Sequence, residues 1–269
     1  MMLRKALQLV TTAALAACAS SCFAVTDLDR FETKGTATGN FRDLRLTVRG
    51  MTSHVDEMFE YRIVDLNNTI QSRGFVIPLG GPEASLFVPQ AVPVGEGFKL
   101  DFYADHDRSG AYNDGSVPGT KDHAWRLTLD KPNDDGVFSI DFQHNQVFSF
   151  LAVPEPARTF GTDAKVRLVN LGPLVGKRVE IRIADSETKH VVGLYRVPVL
   201  PDVVKPLDIT IAGMIEEGVT YDLSVYTDDG KATAGTIKSF RIPRIAAKGG
   251  LGLDFDPNTA PVVTDVPSP

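Results

Sequence analysis

The sequence predicts an all-β protein: two tandem seven-stranded antiparallel β-sandwiches preceded by a signal peptide. Three observations lead there. Apolar and polar residues alternate through most of the chain, as in half-buried strands. No stretch beyond the N-terminus carries the periodicity of an amphipathic helix. One block of sequence is also followed by a second that repeats it.

The first element, residues 1–17, is an export signal. Arg4 and Lys5 precede an apolar run from Ala6 to Ala17, broken only by Gln8, Thr11 and Thr12 and too short to span a bilayer. The run closes on Leu15-Ala16-Ala17-Cys18, which resembles the lipobox of bacterial lipoproteins. That resemblance implies cleavage before Cys18, lipidation of its thiol and attachment to a membrane through the lipid. It also implies sorting to the outer membrane, since Ala19 rather than Asp follows the cysteine. Cys22-Phe23-Ala24 offers a second exit, with cleavage before Val25 and a soluble periplasmic or secreted product. Residues 18–40, rich in Thr, Gly and Asp, read as a lipidated tether.

The repeat follows. Glu60-Tyr61-Arg62-Ile63-Val64-Asp65 returns as Glu180-Ile181-Arg182-Ile183-Ala184-Asp185, and Phe98–Asp105 answers to Tyr221–Asp228. Trp125-Arg126-Leu127 then matches Phe240-Arg241-Ile242, and Ile140-Asp141-Phe142 matches Leu253-Asp254-Phe255. Strand patterning alone would reproduce the alternation but not the shared Glu, Arg and Asp positions. In the first copy, 41–150, strands are expected near 43–49, 57–65, 73–79, 85–89, 97–104, 123–130 and 136–143. In the second, 161–256, they are expected near 164–170, 178–186, 190–198, 207–212, 219–227, 235–242 and 250–256. Within 57–65, Phe59, Tyr61 and Ile63 face one way and Glu60, Arg62 and Val64 the other. Residues 151–160 contain Pro154 and Pro156 and read as a semi-rigid linker; 257–269, with four prolines, reads as a disordered tail. About seven short strands per hundred residues resemble an immunoglobulin-like or transthyretin-like sandwich, without the cysteine pair of antibody domains.

Composition narrows the function. The chain carries a net charge of −6 with no cluster of Lys and Arg, which excludes a phosphate-tracking nucleic-acid surface. Nor is there a polybasic patch for anionic lipids, so membrane attachment rests on Cys18. Cys18 and Cys22 are the only cysteines, so the folded part has no disulfide, thiolate zinc site or cysteine nucleophile.

One loop carries chemistry. Asp105-His106-Asp107-Arg108-Ser109-Gly110-Ala111-Tyr112-Asn113-Asp114-Gly115 sets oxygen donors at alternate positions beside a turn glycine, the pattern a hard cation needs from a short segment. Asp105, Asp107 and Ser109 would offer side-chain oxygens to Ca2+, Ala111 its carbonyl, and Asn113 or Asp114 the closing ligand. The pattern is similar to the start of EF-hand and dockerin loops, though Ser116 stands where a bidentate Glu is expected. The alternative is a metal-assisted hydrolase using Asp105, Asp107, His106 and His123. His54, His144 and His190 are spread along the chain and point to no site. Trp125 is expected in the core and Asn67-Asn68-Thr69 in a turn. No G-x-S-x-G, H-E-x-x-H or phosphate-binding glycine loop is present. The expectation is a non-catalytic, lipid-anchored envelope protein that binds an envelope protein or glycan, its first domain stiffened by weakly held Ca2+.

Overall fold

The computed structural model describes residues 39–113, 122–144, 161–202, 206–228, 238–246, 251–256 and 262–265. The export signal, Cys18, almost all of the tether and the 151–160 linker lie outside them, as does Asp114. The described elements are strands and two 3-10 turns, with no α-helix among them.

The first half contributes β1 (Phe41–Arg49), β2 (Phe59–Val64), β3 (Ile70–Val76), β4 (Ala84–Pro93), β5 (Lys99–Ala104), β6 (His123–Thr128) and β7 (Val137–Gln143). The second contributes β8 (Thr162–Leu168), β9 (Arg178–Asp185), β10 (Val191–Val197), β11 (Leu207–Ile215), β12 (Thr220–Asp228), β13 (Lys238–Ala246) and β14 (Leu251–Phe255). Every stretch read as a strand overlaps one. β3 starts three residues earlier than expected, and β4 and β11 run on past bulges that restart their pairing. β15 (Val262–Asp265) pairs with β14, so the tail expected to be disordered adds a strand through its β-branched Val262-Val263-Thr264.

Pairing order is where the expectation needs correcting. The sheets are β4-β1-β7, β11-β8-β14-β15 and one continuous sheet β13-β12-β9-β10-β3-β2-β5-β6. The halves are therefore not two separate sandwiches but share their largest sheet, joined where β10 pairs parallel with β3. Nor are the sheets purely antiparallel, because β1 pairs parallel with β7 and β8 with β14. The first half's order, 4-1-7 beside 3-2-5-6, also departs from the immunoglobulin arrangement, which groups the first, second, fifth and fourth strands. Alternation reports which face a residue takes, not which strand lies beside it. Joining β3 to β10 also covers two edges that would otherwise expose unpaired N–H and C=O groups.

Two apolar cores lie on opposite faces of the shared sheet. Phe75 of β3 packs into the second half's core beside Tyr195, while Leu194 of β10 packs into the first half's core with Tyr61 and Val76. Gly74 makes this seam possible: a Cβ there would stand 2.4 Å from the Tyr61 ring.

Each core therefore covers the back of the other half's strands, where the sequence placed the charged residues. Glu60, fully buried, accepts from Arg73 Nε at 2.9 Å and Arg62 Nε at 2.7 Å, and Arg73 Nη1 donates across to the Ala212 carbonyl of β11 at 2.7 Å. Glu180, also fully buried, accepts from Arg196 Nε at 2.6 Å and Arg182 Nε at 2.5 Å, and Arg196 Nη1 reaches the Ser85 carbonyl of β4 at 2.9 Å. Burial alone would push both glutamates up, but their paired guanidiniums outweigh it and hold them below the usual carboxylate range.

Candidate metal centre

The site lies at one end of the first half, where the 3-10 turn Thr52–His54, the loop after β5, the start of β6 and the end of β7 meet. An aromatic floor of Phe59, Phe102, Trp125 and Phe142 lies beneath it, with Phe102 5.5 Å from Trp125 and 4.9 Å from Phe142. Trp125 is core, as expected. The Asn67-Asn68-Thr69 segment is a turn, closed by Asp65 Oδ1 accepting from the Asn67 and Thr69 amides.

The acidic loop folds on its own side chains. Asp105 accepts from the Ser109 amide at 3.0 Å and the Gly110 amide at 2.9 Å, while Arg108 and Gly110 take positive φ to turn the backbone. Asp107 Oδ2, Ser109 Oγ and the Ala111 carbonyl converge on Asn113 Nδ2 at 3.1, 2.6 and 3.3 Å. Asp105, Asp107, Ser109, Ala111 and Asn113 are thus brought together, while Asp114 falls outside the described residues. Asp122, which the sequence reading did not use, joins them: one oxygen each of Asp105, Asp107 and Asp122 lies within 4.8 Å of the others. Asp122 accepts from the His106 amide and the Asn113 amide, both at 2.8 Å. Burial pushes Asp105 and Asp122 up and neighbouring carboxylates add to it, whereas hydrogen bonds from Ser109 hold Asp107 down.

The histidines form a second cluster beside it. His54, with no exposed surface, donates or accepts through Nδ1 at 2.8 Å from Glu57 Oε2, and its Nε2 lies 3.1 Å from His123 Nδ1. His144 contacts the Gly50 carbonyl through Nδ1 at 3.2 Å, and its ring centroid is 5.0 Å from that of His54. His106 bonds the other Glu57 oxygen at 2.8 Å and stacks on His123, 5.4 Å away. Burial, followed by the neighbouring imidazoles, holds His123 and His144 below the usual histidine range.

His54 and His144, read as unconnected, therefore belong to this cluster, and His106 and His123 direct their Nδ1 atoms to Glu57 and His54 rather than to the aspartates. The sequence spacing hides the convergence, since folding brings the four histidines together from separate strand ends. One signal was available: Asp105-His106 and Asp122-His123 repeat an Asp-His pair at adjoining strand ends, and in extended chain neighbours face opposite ways. Each aspartate faces the acidic cluster and each histidine the other. His190 stays apart, stacked on Phe41 at 4.2 Å.

No protein-family model matches the sequence, and no curated protein matches it. Two solved structures resemble it weakly. One is a candidate cell adhesion protein from Bacteroides ovatus, 9% identical over 86% of this chain and 97% of that one, with a TM-score of 0.25. The other is a candidate cell adhesion protein from Parabacteroides distasonis, 10% identical over 85% of this chain and 91% of that one, with a TM-score of 0.22.

Proposed function

We propose that this chain is an exported, lipid-anchored cell-envelope protein without catalytic activity. Its two repeated seven-stranded units would hold a calcium-stiffened tip away from the membrane for an envelope protein or glycan. The convergence of Asp107 Oδ2, Ser109 Oγ and the Ala111 carbonyl on a single point carries the reading. That point is filled by an amide nitrogen, and half a turn of the Asn113 amide exchanges it for an oxygen. Asp105, Asp107, Ser109, Ala111 and Asn113 then form an all-oxygen set, with Asp122 as a further carboxylate in place of the missing Glu. The shared sheet supports a display role, because a joint made of backbone hydrogen bonds keeps the two units in one orientation. The Leu15-Ala16-Ala17-Cys18 motif supports the anchor.

Mass spectrometry of the mature N-terminus is expected to find acylated Cys18; a chain beginning at Val25 would overturn the anchor. Millimolar Ca2+ is expected to raise the melting temperature of the unmodified protein and leave an Asp105→Asn/Asp107→Asn variant unmoved. Equal melting of the unmodified protein with and without Ca2+ would remove the cation from the reading.

A further inference from the structure

We propose that His54, His123 and His144 form a second site, distinct from the acidic loop, that takes a divalent transition cation of the Zn2+ type through three imidazole nitrogens. One ring nitrogen of each lies within 4.8 Å of the others, and the closest pair is already 3.1 Å apart. Two nitrogens bound to one tetrahedral zinc stand about 3.3 Å apart, so closure needs little more than small ring rotations.

The surrounding hydrogen bonds select the right lone pairs on His54 and His144. Glu57 accepts the Nδ1 proton of His54, which leaves Nε2 as a lone pair facing His123. The Gly50 carbonyl accepts the Nδ1 proton of His144, which leaves Nε2 as its donor atom. A carboxylate and a backbone carbonyl are the partners that orient histidine ligands in metal sites. His123 donates its Nδ1 proton to His54 without metal; with metal, that proton sits on its Nε2 instead, and no net proton is released. His123 is solvent-exposed while His54 and His144 are buried, so the site has a closed floor of Trp125 and an open side. Three nitrogens leave a fourth position for water or a partner's donor atom.

The second half carries the same turn without the ligands. Leu174 occupies the place of His54, its amide bonded to Leu171 as that of His54 is to Met51, and Lys177 occupies that of Glu57. In the strand register Lys238 stands opposite Thr227 where His123 stands opposite Ala104. The fold therefore does not need imidazoles here. Nor does the site depend on calcium in the acidic loop, since the two sets share no ligand.

The test is calorimetric titration of Zn2+ into the metal-stripped full chain carrying Cys18→Ser and Cys22→Ser, so that no thiolate competes. One saturable site per chain is expected, weakened at least tenfold by His123→Ala at an exposed position and by His54→Leu, which installs the residue of the second half. Circular dichroism of each variant confirms folding. In the same background Co2+ should give the intense visible absorption of a four-coordinate site, lost in His123→Ala. Absence of saturable Zn2+ binding at micromolar concentration, or equal affinity in His123→Ala, would overturn the proposal.

Discussion

The first seven strands of each half pair in the same order, β15 being an addition to the second, and the residues the halves share differ in kind from those they do not. Glu60 and Glu180 are both fully buried, both paired with two arginines, and both part of contacts that reach an edge strand of the opposite half. These repeated groups belong to the architecture. His54, Glu57 and His123 lack the same counterparts: the matching turn buries Leu174 and carries Lys177, and Lys238 takes the register position of His123. A buried imidazole costs more than a buried leucine unless it is paired or bound. Polar burial present in only one of two like units marks a site rather than a fold requirement.

The sharpest way to break this division is at the repeated ion pairs. Glu180→Gln leaves Arg182 and Arg196 buried without their counter-charge and is expected to cost about 3–5 kcal/mol in denaturant unfolding. Because each half covers the other's pairs, the loss should appear in one cooperative transition. Two separated transitions, with only one shifted, would contradict a shared sheet. Glu60→Gln should behave alike.

Acid probes the same joint. His190 of the second half bonds the Ala91 carbonyl of the first at 3.2 Å, and burial pushes its pKa down to about 4 despite that bond and nearby Asp185. A histidine depressed in the folded state takes up protons more readily when unfolded. Its contribution is thus complete above the unfolded value near 6.5 and is lost as pH falls toward 4. Stability should drop by about 3 kcal/mol over that window from this group alone. The slope should flatten in His190→Asn; an unchanged slope would remove His190 from the joint.

Much of this was legible in the sequence, and the boundary is physical. Alternation located the strands, and it put Phe59 and Tyr61 on one face and Glu60 and Arg62 on the other, because side-chain direction is a local property of extended chain. It did not reveal that the charged face is buried, since that depends on the other half packing against it. The grouping of Asp105, Asp107, Ser109, Ala111 and Asn113 was legible because they lie within one loop; that of Asp122 and the histidines was not, because they meet only when separate strand ends do.

The remaining expectations are smaller. Replacing both His54→Leu and Glu57→Lys turns the first half's corner into that of the second. It should change the stability of the metal-free protein by no more than about 1 kcal/mol. A severe loss would mean that the fold itself requires the imidazole. For the acidic loop, 10 mM Ca2+ acting on a site of about 1 mM affinity would add about 1.4 kcal/mol, read as a rise in melting temperature. Asp107→Asn should abolish most of that rise.

The most direct measurement is an anomalous difference map at the zinc absorption edge, from crystals of the full chain grown with Zn2+. Metal binding confined to the first half predicts one strong peak about 2.1 Å from nitrogens of His54, His123 and His144. It predicts no peak at the Leu174–Lys177 turn. Electron density for His54, His123 and His144 without a peak between them, or equal peaks in both halves, would contradict it.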